Sequence, residues 1–199
     1  EDSAAKALIA SPKIGDAFAK IPAGITNAML FALGGPATGY RSWDDEVAQC
    51  PTGPIPDEEE GMEMLYSSGT TGRPKGIVYL SVPSGLRGAR AAVMATMQRF
   101  GMDGNSVYLS PAPLYHSAPF AYSLAFVQSG ATVVVMENFD PEAALALIDR
   151  YKITVSQWVP THFVRLLKLP HGVRGKYDVS SLQFALHSAA PCPLGVKKG

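Results

Sequence analysis

The chain is poor in cysteine. Its two thiols, Cys50 and Cys192, lie far apart and in no C-x-x-C spacing, which argues against a zinc site and requires no disulfide. It also has no excess of charge. Seventeen Lys and Arg cancel seventeen Asp and Glu, so nothing recommends nucleic acid or a charged membrane as partner. The only charge block, Asp57 to Glu60, follows Pro51, Gly53, Pro54 and Pro56 and reads as a solvated linker; four adjacent carboxylates point in different directions and make a poor metal site. No long hydrophobic run is present either. The most apolar stretch, Ala118 to Met136, is interrupted by Gln128, Ser129 and Gly130, too broken for a transmembrane segment. The N-terminus is not signal-like, and with so few cysteines the expected location is cytoplasmic, although the chain opens on Glu1 without Met. No internal repeat is visible.

What is present is a globular composition, 47% apolar and 17% charged over 199 residues, enough for one ordinary domain or two small lobes. Strands and helices alternate along it. Helical spacing is read at Ser3 to Ala10 and, through Leu86, Val93, Met97 and Phe100, at Ser84 to Phe100, with Gly101 to end that helix. Asn27 to Leu33 reads as a strand, and Ser42 caps a short helix through Trp43, Val47 and Ala48. Further on come strands at Val107 to Ser110, Ala131 to Met136, Thr154 to Trp158 and Leu182 to Leu186. Helices lie between them at Ser117 to Gln128, Pro141 to Tyr151 (capped by Asp140) and Thr161 to Leu169. The pattern predicts an α/β fold, a predominantly parallel sheet with helices on both faces, and the Val133 to Val135 run suggests a central strand buried on both sides.

The segment richest in chemistry is Tyr66 to Gly76, YSSGTTGRPKG, between two stretches that read as strands, Met62 to Tyr66 and Gly76 to Leu80. Four hydroxyls (Ser67, Ser68, Thr70, Thr71) and three glycines (Gly69, Gly72, Gly76) suit a loop that turns successive N–H groups onto phosphate oxygens. Arg73 and Lys75 add positive charge, and Pro74 stiffens the backbone between them. A plain polar hairpin is the simpler alternative. A Walker A loop does not fit: Lys75 follows Pro74, no Ser or Thr follows it, and a strand comes next where a helix should open.

This run resembles the phosphate-binding signature of the adenylate-forming superfamily, which includes acyl-CoA synthetases, aryl-CoA ligases, luciferases and the adenylation domains of peptide synthetases. PLYHSAPF (Pro113 to Phe120), the segment from Gly130 to Thr154, VPTHFVRLL (Val159 to Leu167) and LHSAAPCP (Leu186 to Pro193) match further family segments in order. The resemblance implies an acid:CoA ligase of the bacterial fatty- or aryl-acid type, which activates a small-molecule carboxylic acid with ATP and magnesium and passes the acyl group to CoA. A peptide-synthetase adenylation domain, or a non-catalytic nucleotide- or acyl-binding module, is the alternative. Homo-oligomer formation is left open.

By the same resemblance Ser67, Ser68, Gly69, Thr70, Thr71, Gly72, Arg73, Lys75 and Gly76 would hold the ATP phosphates, Thr71 the metal, and Lys75 and His116 the catalytic positions. His116, Ser188, Ala189, Ala190 and Pro191 would line the acyl-adenylate site. Lys75 at a loop end is equally read as a solvated side chain. His116 needs no base role, because a carboxylate nucleophile is already ionised at neutral pH. Ser188 stands where the family often has Gly. Tyr115, Phe120, Trp158, Val159, Pro160, Thr161 and Phe163 are tunnel candidates better explained as core. The expected organisation is a partial subdomain and linker (1–60), a phosphate-binding strand-loop-strand (61–83) and an α/β substrate subdomain (84–199). The family's magnesium-binding acid, ribose aspartate and C-terminal lobe are not found, so the chain alone is expected to be an inactive internal fragment.

Overall fold

A computed structural model describes residues 4–25, 27–56, 64–67, 75–77 and 89–199. The chain divides into two compact units, Glu1–Gly76 and Ile77–Gly199.

In the first unit, β1 (Ala7–Ala10), β2 (Met29–Ala32) and β3 (Arg41–Ser42) form a parallel sheet in that order. With them go a 3₁₀ turn at Pro12–Ile14 and two helices, α1 (Asp16–Gly24) and α2 (Trp43–Val47). The helix expected at Ser3 to Ala10 is therefore a strand over its last four residues. Helix propensity lost to tertiary pairing: Ala7 to Ala10 run in register with Met29 to Ala32, and Ala10 packs with Phe18, Ala32 and Tyr40. Helix α1 has Pro22 inside it, which removes the bond that its N–H would have made to the Phe18 carbonyl. The Tyr40 hydroxyl takes that carbonyl instead, donating at 2.7 Å while its ring stacks on Phe18. The expected cap of α2 is present, the Ser42 hydroxyl accepting from the Asp45 N–H. Two short strands, β4 (Leu65–Ser67) and β5 (Lys75–Ile77), pair with each other.

The second unit carries α3 (Ala89–Arg99), β6 (Val107–Ser110), α4 (Ser117–Gln128), β7 (Thr132–Val135), α5 (Pro141–Tyr151), β8 (Val155–Trp158), α6 (Pro160–Leu167), α7 (His171–Arg174), β9 (Phe184–His187) and α8 (Leu194–Lys198). All strand pairs are parallel, in the order β7-β6-β8-β9. Gly101, at φ 67°, ends α3, and Asp140 caps α5 by accepting from the Ala143 N–H.

Successive strand residues alternate faces. Tyr108 and Val155 join Val93, Met97, Ala121, Ala125 and Phe126 beneath α3 and α4, whereas Leu109 and Trp158 join Ala144, Ile148 and Ile153 beneath α5 and α6. Helices thus cover both faces. The reading of Val133 to Val135 as a central strand is corrected: among the described residues β7 is an edge strand, partly exposed along its length. The interior positions belong to β6 and β8, and β8 is buried at every residue although its sequence, VSQW, contains two polar side chains.

The strand order creates a switch point between β6 and β8. The chain leaves β6 through α4 toward β7 and leaves β8 through α6 toward β9, so connections depart in opposite directions from two neighbouring strands. A crevice opens at their carboxyl ends, where ligands bind in open parallel sheets.

Candidate functional site

A cavity of about 440 Å³ sits at that switch point. Its walls are Ala112, two residues past β6; His116 to Pro119 at the start of α4; Gln157 and Val159 at the end of β8; and Ser188 and Ala189 just past β9. Small apolar groups dominate, and four side chains, His116, Ser117, Gln157 and Ser188, supply polarity, the usual make-up of a small-molecule site.

His116 is the N-cap residue of α4, in an extended conformation, with its side chain exposed and making no cap hydrogen bond. The ring is stationed at the rim by the chain's turn into the helix. The N–H groups of Ser117 and Ala118, in the first turn of this twelve-residue helix, have no intrahelical acceptor and favour negative charge nearby, whereas Pro119 has no N–H and that of Phe120 bonds to the His116 carbonyl. Its neighbour Tyr115 is 77% exposed and lies outside the cavity lining.

The far wall is knitted to the backbone. The Trp158 carbonyl accepts from the Ser188 N–H at 3.1 Å and from Gln157 Nε2 at 2.7 Å, and Nε2 also donates to Ser188 Oγ at 2.9 Å. Gln157 is only 1% exposed. Ala189 adopts φ 71°, a left-handed conformation that L-residues rarely hold and that tends to mark functional turns. Behind this wall His162 stacks on Phe139 and meets Trp158 edge-on; burial pushes its pKa down, with the Arg165 charge acting in the same direction, which favours the neutral ring.

The structure thus brings together His116, Ser188 and Ala189 from segments that lie far apart in sequence. Ala190 and Pro191 follow directly and are exposed, but do not line the cavity. Of the tunnel candidates, Val159 lines it; Trp158 and Phe163 belong to the core. Ser67, Lys75 and Gly76 lie on the paired strands β4 and β5, with Lys75 and Gly76 exposed. Ser68, Gly69, Thr70, Thr71, Gly72 and Arg73 lie outside the described residues, as does the Asp57 to Glu60 run. Sequence reasoning missed Gln157. Its signal was a carboxamide inside an otherwise buried strand, three residues before the helix-opening Pro160.

The family model for AMP-binding enzymes matches residues 1–198. This chain is an AMP-binding enzyme family member. The AMP-binding relatives include a probable CoA ligase, CCL5, of Humulus lupulus, 34% identical over 72% of this chain and 25% of that protein. A 4-hydroxybutyrate–CoA ligase of Metallosphaera sedula is also 34% identical, over 72% of this chain and 26% of its own length. Among solved structures, the amide bond synthetase McbA from Marinactinospora thermotolerans superposes with a TM-score of 0.74 at 26% identity, covering 96% of this chain and 37% of that one. The chain spans about a quarter of the length of the curated relatives it matches. Among the described residues no three His, Cys, Asp or Glu side chains gather as a metal site, and no helix is long and apolar enough to cross a membrane.

Proposed function

We propose that the protein carrying this chain is an acid:CoA ligase that joins a carboxylic acid to ATP as an acyl adenylate, releases pyrophosphate, and transfers the acyl group to CoA. The carrying observation is the cavity at the β6/β8 switch point of an AMP-binding chain whose curated relatives are named as CoA ligases.

In the first step a carboxylate oxygen forms a bond to the α-phosphorus while the bond from that phosphorus to the bridging oxygen breaks and pyrophosphate leaves. The acid is ionised at neutral pH, so no general base is needed. The protein's task is to align two mutually repelling anions and to offset charge growing at phosphorus. His116 and the N–H groups of Ser117 and Ala118 meet the acyl-adenylate end, with Ser188 and Ala189 opposite. Residues Ser67 to Gly76, with Lys75, hold the β- and γ-phosphates. Magnesium enters with ATP as part of the substrate; the described residues do not fit a metal centre, and Thr71 lies outside them, so no step is routed through the ion.

A second reading changes only the acceptor. The likeness to an amide bond synthetase favours an amine in place of CoA as the group that takes the acyl. The 199-residue chain by itself is expected to show no turnover, since it spans about a quarter of its ligase relatives.

Pyrophosphate exchange into ATP, measured for the full-length enzyme across aliphatic and aromatic acids, tests the first step. Exchange should appear only when an acid is present, and CoA rather than amines should then consume the adenylate. Acid-independent exchange, or none with any acid, would overturn the ligase reading; amide product without thioester would install the second.

A further inference from the structure

One peptide group behind the cavity is held at both ends. The unit that joins Trp158 to Val159 is trans, so its carbonyl and its N–H point in opposite directions. The carbonyl accepts from the Ser188 N–H at 3.1 Å and from Gln157 Nε2 at 2.7 Å, and these two residues form one wall of the cavity with Val159. The N–H donates the other way, to His162 Nδ1 at 3.4 Å. His162 also holds the far end of Val159, its own N–H donating to the Val159 carbonyl at 2.9 Å. A side chain outside the lining thus orients a residue and a peptide group on which the lining depends.

That bond fixes the state of the ring. A backbone N–H can only donate, so Nδ1 is bare and the neutral imidazole carries its proton on Nε2. Aromatic contacts set the position, for the ring stacks on Phe139 with centroids 4.1 Å apart and meets Trp158 edge-on at 6.0 Å. A proton added at Nδ1 would turn the acceptor into a donor that faces a donor. The wall would then keep its bonds to Gln157 and Ser188 and lose the one behind.

Resting on the ligase reading above, we propose that His162 is a positioning residue of the acid site, holding the Trp158–Val159 peptide, and through it Gln157, Val159 and Ser188, in the arrangement that encloses the cavity with His116 and Ser117. The surroundings keep its Nδ1 bare at neutral pH. Burial lowers the pKa, and Arg165, on the same helix and over the Phe139 ring, acts in the same direction. Glu137 and Asp140 flank Phe139, with Asp140 committed to the α5 cap; Glu142 on α5 accepts from Tyr177, and His187 ends β9 beside Phe163; none of these raises it. Release therefore begins below the ordinary histidine value.

The test follows kcat/KM for an accepted acid with the full-length enzyme from about pH 5 to 8, as the ratio of variant to native, so that titration of the acid and of ATP cancels. His162→Phe keeps the stacking and removes the acceptor; KM for the acid should rise about fivefold or more at the alkaline end, with kcat changed less. His162→Asn offers an amide oxygen to the Val159 N–H and does not titrate. It should recover most of that KM, and its ratio to native should climb as pH falls. A native KM in His162→Phe, or a flat ratio for His162→Asn across the range in which the native ring titrates, overturns the proposal. Nitrogen NMR of the native full-length enzyme supplies a readout that needs no variant to fold: His162 Nδ1 should be unprotonated at neutral pH, and the Val159 and Ser188 amide signals should move with the ring's titration. A protonated Nδ1, or amides indifferent to the ring, overturns it as well. Absence of exchange with every acid defeats the ligase reading instead, and the amide response then decides the role of His162 on its own.

Discussion

Strands β7 and β8 invert the expectation that the more apolar segment lies deeper. β7 reads TVVV and lies at the sheet edge, with Val135 49% exposed; β8 reads VSQW and is buried throughout. The difference is that both polar side chains of β8, Ser156 and Gln157, make hydrogen bonds. Ser156 donates to the Leu109 carbonyl at 2.8 Å, and Gln157 to the Trp158 carbonyl and Ser188. Burial of a polar group costs little once it is hydrogen-bonded. A central strand can therefore carry polar side chains, and here two of its buried atoms, Gln157 Oε1 and Trp158 Nε1, are left without a hydrogen-bond partner.

The largest effect that would break this contrast is on packing. Trp158→Ala is expected to destabilise the fold by about 3–5 kcal/mol, because it empties a site enclosed by Leu109, Ile148 and Ile153, whereas Val135→Ala should stay within about 0.5 kcal/mol. Chemical denaturation of both variants gives the comparison, and similar losses would mean that β7 is not an edge. Next in size is Ser156→Ala. It removes one buried hydrogen bond and should cost about 1 kcal/mol by the same measurement. A neutral result would show that β8 tolerates its polar residues without needing their bonds.

The smallest effect concerns the opposite, amino end of β8. There Lys152, in the left-handed conformation, pairs with Asp149 at 2.8 Å and with Asp178 at 3.1 Å. The Asp178 carboxyl is lowered to about 2, chiefly by hydrogen bonds from Ser180 and also by Lys152. A depressed carboxyl pKa adds stability that is complete above the unfolded value, near 3.8, and is lost as pH falls through about 2. Asp178→Asn should therefore flatten the stability profile between pH 4 and pH 2 and leave the contrast between the two strands untouched. An unchanged acid limb in that variant would remove Asp178 from the account.

Much of this architecture is legible in local chemistry. Asp140 before Pro141 marks the start of α5, Gly101 the end of α3, and the alternation of short apolar runs with helical spacing yields the parallel sheet. Elements that depend on distant partners are not legible. β1 looks helical until β2 pairs with it, and α1 is hidden by Pro22, whose lost bond is offset by Tyr40 from another segment. The same holds for the candidate site. His116, Ser188 and Ala189 stand out through motif resemblance, but Gln157 becomes visible only when strand order puts β8 beside β6 and β9. Hydrophobicity reports whether a strand is buried on average; it carries no information about which neighbour will complete its hydrogen bonds.

The Trp158 carbonyl, which holds Gln157 and Ser188 together, belongs to one of only two tryptophans in the chain. Trp158 is 2% exposed, while Trp43 lies in the other compact unit against Phe31. With Trp43 replaced by Phe, the remaining indole becomes an intrinsic optical gauge of that wall. Any occupant that reorganises the amide and hydroxyl tugs on the peptide group bearing the chromophore, so filling the cavity can be followed by emission without a label, a coupling enzyme or a turnover event.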